Sequence, residues 1–154
     1  MAFQLTSSDF ADGERMPVRH TCEGEDVSPP LAWTDAPSAA RSFALVCDDP
    51  DAPAGTWHHL AIFDIPITAT ALSEGFSRDP NARAIRQAIN DFGVAGYRGP
   101  CPPRGHGTHH YHFKLLALDV DKLPVKQRAK CKDVEAAARP HVIATAELVG
   151  TFSR

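Results

Sequence analysis

Five residues in this chain have types and spacings that could do chemistry together: Asp49, the pair Trp57 and His59, and the pair His109 and Tyr111. Each pair is written X-x-X, and residues two apart in a β-strand project from the same face. A carboxylate, two imidazoles and a phenol on one surface could orient and protonate one another. They could also donate hydrogen bonds to an anion or, for Asp49, His59 and His109, supply one oxygen and two nitrogens to a metal ion. Six of the eight histidines fall within 58–59 and 106–112, so the imidazoles are concentrated in two short stretches.

The elements that would position these groups are legible as alternating or continuous apolar runs. Strands are expected at 42–49 (SFALVCDD), 57–65 (WHHLAIFDI) and 109–120 (HHYHFKLLALDV), with shorter ones at 31–33 and 147–152. If the first two pair as an antiparallel hairpin across DPDAPAGT, Asp49 faces Trp57 and His59. The odd positions then place Phe43, Leu45 and Cys47 on the site face of the first strand. Ala61, Phe63 and Ile65 follow on the second, and Phe113, Leu115 and Ala117 on the third. His110, His112 and Lys114 point the other way.

The flanking loops are stiff. Pro50 and Pro53 precede a glycine turn, with the Ala52–Pro53 bond a candidate for the cis form, and GPCPPRGHG (99–107) leads into the third strand. Backbone N–H groups from Gly105 to Thr108 are expected to form an anion-accepting nest. From Cys131 the apolar residues Cys131, Val134, Ala138 and Val142 recur at helical intervals, with a break expected near Arg139 because of Pro140. No structure is assigned between Pro66 and Gly96. The whole, 1–154, reads as a single domain that is mainly antiparallel β with one or two late helices.

Composition narrows the function classes. A formal charge of -3 and pI near 6.2 provide no basic field for nucleic acid. The N-terminal residues carry neither a signal-peptide pattern nor a membrane span, so a cytoplasmic protein without integral membrane association is expected. Cys22, Cys47, Cys101 and Cys131 form no C-x-x-C pair, and reduced thiols are expected. No H-E-x-x-H and no G-x-S-x-G occurs, so neither a metal nor a catalytic residue is assigned and no cofactor is expected.

Several blocks carry a resemblance: SPPLAW (28–33), CDDPDAPAGTWHHL (47–60), GYRGPCPPRGHGTHHYHFKLLALD (96–119) and HVIATAELVGTFSR (141–154). Together they resemble the phosphatidylethanolamine-binding protein family, in particular its prokaryotic Raf kinase inhibitor-like branch. The resemblance implies a large central antiparallel sheet, a smaller second sheet and a non-enzymatic pocket for phosphate-type groups, such as a phospholipid headgroup or a phosphorylated ligand. By motif position it implies ligand-binding roles for Asp49, Asp51, Pro53, Trp57, His59, Gly105, Gly107, His109 and Tyr111. It further implies regulation of a protein partner and a homodimer. The long insertion and the C-terminal helix of the animal branch are missing, so kinase inhibition does not transfer with the name. His58 and Leu60 stand where valine and tryptophan are common. The alternatives are a protease or kinase inhibitor acting through loop 98–108 and, behind it, a metal-dependent hydrolase.

Overall fold

The computed structural model describes residues 2–79 and 85–154. Its centre is strand β3 (Ser42–Asp49), whose eight residues are all buried because both of its faces are covered. That is why its sequence is almost continuously apolar until the two terminal aspartates. β3 lies between β4 (Trp57–Pro66) and β7 (His109–Leu118). With β6 (Arg86–Gln87) outside β4 and β8 (Val142–Phe152) outside β7, these make a five-stranded antiparallel sheet in the order β6-β4-β3-β7-β8. A second sheet of three short antiparallel strands, β1 (Gln4–Thr6), β2 (Leu31–Thr34) and β5 (Ala71–Leu72), packs on one face. Leu5, Leu31, Trp33 and Leu72 close there on Phe43, Leu45, Ile62 and Phe113, and the Trp33 and Phe43 rings meet edge-on at 5.6 Å. The other face is covered by helix α1 (Cys131–Ala138) through Cys131, Val134 and Ala138.

The helix ends where Pro140 predicts. A 3-10 turn, Arg139–His141, follows α1 and delivers the chain into β8. Val142, assigned to the helical pattern, instead begins that strand, which runs five residues further back than the expected 147–152. β7 ends at Leu118, short of the expected Val120, with a register irregularity between Ala117 and Leu118 in its pairing with β8. β1, β5 and β6 are two or three residues long, too short for periodicity to register.

The hairpin pairing of β3 and β4 is as expected, but the shared face is not carried straight down the strands. Asp49 pairs with Trp57 and Asp48 with His58, after which Cys47 pairs with Leu60, so His59 is the extra residue of a β-bulge. The bulge reverses the parity beyond it. Leu60 and Ile62 join Cys47 and Leu45 on the site face, whereas Ala61 and Phe63 turn to the helix side with Ala44 and Val46. A second irregularity, between Leu45 and Phe43, returns Ile65 to the site face. There Asp64 takes a left-handed backbone (φ 59°), and its Oδ1 accepts the Leu123 N–H at 2.9 Å.

Two expectations about the loops are corrected. Every peptide bond among the described residues is trans, Ala52–Pro53 included. The β3–β4 turn is closed instead by Gly55 at φ 106°, whose N–H donates to the Ala52 carbonyl at 3.1 Å. Nor are all four thiols free: Cys22 and Cys101 form a disulfide across 79 residues, with Cα atoms 5.4 Å apart. The two loops are packed so closely that a Cβ on Gly99 would stand 2.0 Å from the His20 carbonyl oxygen. The Tyr97 hydroxyl donates to that same oxygen at 2.7 Å. Cys47 and Cys131 are buried free thiols.

Candidate functional site

At the end of the central sheet where β3 stops and β4 and β7 begin, an open cleft of about 200 Å3 is lined by Asp49, Pro53, Trp57, His59, His109 and Tyr111. Three strands and the β3–β4 turn, which supplies Pro53, thus bring together six of the nine residues singled out in the sequence. The other three serve the wall from behind. Asp51 accepts the His110 main-chain N–H at 2.9 Å and pairs with His110 Nδ1 at 2.8 Å, bracing the β3–β4 turn to β7. Gly105 and Gly107 both have positive φ (75° and 95°), which lets the loop turn. The expected nest does not use Gly105 or His106: the Gly105 N–H donates to the Arg154 carbonyl at 3.1 Å and the His106 N–H to Pro103 at 3.1 Å.

Asp49 is 3% exposed and spends both carboxylate oxygens inside the protein. Oδ1 accepts the Asp51 N–H at 2.8 Å, and Oδ2 accepts from His109 Nδ1 at 2.6 Å. It therefore orients His109 and offers no free oxygen of its own. His109, 2% exposed, continues the chain, since its Nε2 lies 2.6 Å from Nδ1 of His106. An ionised carboxylate only accepts, so His109 carries its hydrogen on Nδ1 and, when neutral, accepts at Nε2 from His106.

His59 has the opposite character. Its Nδ1 donates to the Arg98 carbonyl at 2.7 Å, and burial pushes its pKa below the ordinary histidine value, against partial support from that carbonyl. It is thus neutral, with Nε2 an acceptor. This corrects the expectation that both imidazoles donate to an anion. Tyr111 meets the His59 ring edge-on at 5.3 Å, and burial, reinforced by Asp49, holds its hydroxyl well above the usual phenol range. That group remains a donor at any ordinary pH.

The rest of the wall was hidden from sequence reasoning. Phe92, from the stretch between Pro66 and Gly96, packs edge-on against Trp57 at 5.4 Å and His59 at 5.5 Å, although it is 39% exposed. Cys101, Pro102 and Pro103 close the opposite side. His106 stood in the histidine-rich stretch, but nothing in its spacing distinguished it from His110. The indole Nε1 of Trp57 is buried with no acceptor among the described residues. Among the same residues no helix is long and apolar enough to cross a membrane.

Comparison with known proteins agrees with this architecture. The family model described as phosphatidylethanolamine-binding protein matches residues 6–153. A UPF0098 protein of Aquifex aeolicus is 45% identical over 151 residues, covering 98% of this chain and 88% of that protein. The crystal structure of YbcL from Escherichia coli, described as a new member of the mammalian PEBP family, superposes with a TM-score of 0.94 at 36% identity, covering 100% of this chain and 99% of that one. A putative homologue from Chlamydia trachomatis superposes with a TM-score of 0.87 at 35% identity, covering 99% and 98%.

Proposed function

The chain belongs to the phosphatidylethanolamine-binding protein family, and from that premise we propose that its cleft binds a small phosphate-type oxyanion without transforming it. The observation that carries this reading is the chain Asp49–His109–His106 at 2.6 Å per step, beside a Tyr111 hydroxyl that stays protonated. Asp49 and His106 fix the His109 ring at the cleft wall from both sides, and Tyr111 supplies a neutral donor beside it. The acceptor Nε2 of neutral His59 suits a ligand that also brings a hydrogen, such as a phosphomonoester monoanion or the ammonium of an ethanolamine headgroup. Trp57, Phe92 and the prolines offer an apolar wall to whatever the phosphate is attached to.

The nearby thiols support binding over catalysis. Burial, then Asp48, pushes the Cys47 thiol well up, and Cys101 is held in its disulfide, so neither is a nucleophile at neutral pH. The bridge also bears on location. Disulfides persist in oxidising compartments, or in the cytoplasm of hyperthermophiles, so a reducing cytoplasm is replaced in our reading by one of these settings.

Calorimetric titration with inorganic phosphate and with phosphoethanolamine tests the assignment. His109→Ala removes the ring that joins Asp49 to His106 at the cleft wall and should weaken binding by about tenfold. Equal affinity of wild type and His109→Ala for both ligands would sink the proposal.

A further inference from the structure

Outside the cleft, a second cluster is built from three turns distant in sequence. Asp9 follows β1, His20 closes the 3-10 turn Val18–His20, and Glu74 follows β5. His20 is fully buried, and its Nδ1 lies 2.9 Å from the Val27 carbonyl oxygen. A carbonyl oxygen only accepts, so Nδ1 holds the hydrogen and the lone pair of the neutral ring is on Nε2. That nitrogen faces Asp9 Oδ2 at 2.7 Å and Glu74 Oε1 at 3.9 Å, and the three atoms all lie within 4.8 Å of one another. A lone pair turned towards two carboxylate oxygens is repulsive unless the ring takes a second proton, which Asp9 would accept at that distance, or a metal ion stands among them.

We propose that this cluster is a binding site for a divalent first-row transition ion, with His20, Asp9 and Glu74 as ligands and zinc as the probe of choice. A second proton on His20 would serve Asp9 alone and leave Glu74 to Arg19, whereas the 3.9 Å between Nε2 and Glu74 Oε1 is within the span that bonds of about 2.0–2.2 Å to one ion allow. The Nδ1–H to carbonyl bond fixes the ring with its other nitrogen outward, as the outer-shell partner of a ligating imidazole does. The charges also match. Asp9, Glu74 and Glu25 stand against one guanidinium, Arg19, which is 2.7 Å from Glu74 Oε2 and 4.0 Å from Glu25. The two carboxylates of the cluster, Asp9 and Glu74, bring two negative charges, of which Arg19 meets that of Glu74. Asp9 and Glu74 are partly open to solvent, which provides an entry path and room for water to complete the shell. The mixed imidazole and carboxylate set favours zinc, manganese or iron over magnesium or calcium.

The position gives the ion a structural role. His20 is tied through its carbonyl to Tyr97, and the Cys22 N–H donates to the Pro100 carbonyl at 3.1 Å. An ion here would therefore pin the turns on which the cleft loop rests.

The experiment uses the full chain stripped with EDTA and titrated with zinc chloride. One zinc per chain should bind and raise the melting temperature. Asp9→Asn and Glu74→Gln, which keep the size of each side chain, should each weaken binding by about 10- to 100-fold. His141→Ala, which removes an ordinary surface His–Asp pair, should leave it unchanged. Nitrogen NMR should find His20 Nε2 without a bonded hydrogen in the zinc-loaded protein. The proposal is overturned if no zinc binds at about 100-fold excess over protein, if stoichiometric binding survives both carboxylate substitutions, or if His20 Nε2 keeps its hydrogen with zinc bound.

Discussion

His58 and His59 are neighbours on β4, yet they live in opposite electrostatic worlds. His59 turns to the cleft, is 3% exposed, has one neutral carbonyl as partner and is pushed down by burial. His58 turns to the helix side, where Glu135 of α1 lies 3.6 Å from Nε2 and Asp91 3.1 Å from Nδ1. The two carboxylates, Glu135 first, raise its pKa to about 9 against the effect of burial. The same side chain is thus a neutral acceptor for a ligand on one face and a charged staple between sheet and helix on the other. Asp49 and Asp48 divide in the same way: Asp49 orients His109, while Asp48 lies 3.6 Å from Lys114 Nζ. Adjacent residues separate functional from structural roles because strand geometry sends them to different layers.

That contrast can be broken most severely from the cleft side. Replacing Cys22 and Cys101 by serine removes a cross-link spanning 79 residues and should cost about 4 kcal/mol in urea unfolding. Hydrogen exchange should accelerate in loop 98–108 and stay unchanged where α1 meets β4. An unchanged unfolding midpoint would mean that the loops are held by their hydrogen bonds alone.

A smaller effect is expected on the helix side, and it depends on pH. The folded pKa of His58 lies above its unfolded value, so its stabilisation is complete below about pH 6.5 and is lost as pH rises through about 9. Partial exposure screens the pair, leaving about 1 kcal/mol. Unfolding curves at pH 6 and pH 9.5 should show that loss in the wild type and not in His58→Gln. Phosphate affinity should be the same in both proteins at pH 6, and a fall in His58→Gln would show that the two faces are coupled. The smallest change is Tyr111→Phe, which removes one neutral donor from the cleft and should weaken phosphate binding about threefold without altering the response of stability to pH.

Much of the cleft was legible because its residues lie on strands. The W-x-H and H-x-Y pairs need only period two, and Asp49 needs only a hairpin to meet them. The same reasoning misplaced Ala61 and Phe63, because one bulged residue, His59, inverts the positions from Leu60 to Phe63 and leaves no mark in the composition. Phe92 was missed because it comes from an irregular segment brought to the site by a turn, in which Asn90 Oδ1 accepts the Phe92 N–H at 2.9 Å. Cys22 and Cys101 offered no pairing signal, since closing a long loop is governed by where the two loops pack.

By itself, the sequence determined the apolar alternation that builds the central sheet, the helix break at Pro140, and the side chains that meet at the end of β3, β4 and β7. These are local consequences of side-chain period and proline stereochemistry. Only the tertiary structure decided which histidine is neutral and which is charged, that His106 extends the Asp49–His109 chain, and that Asp9, His20 and Glu74 converge. Each of these depends on burial and on distances between segments that no local pattern encodes.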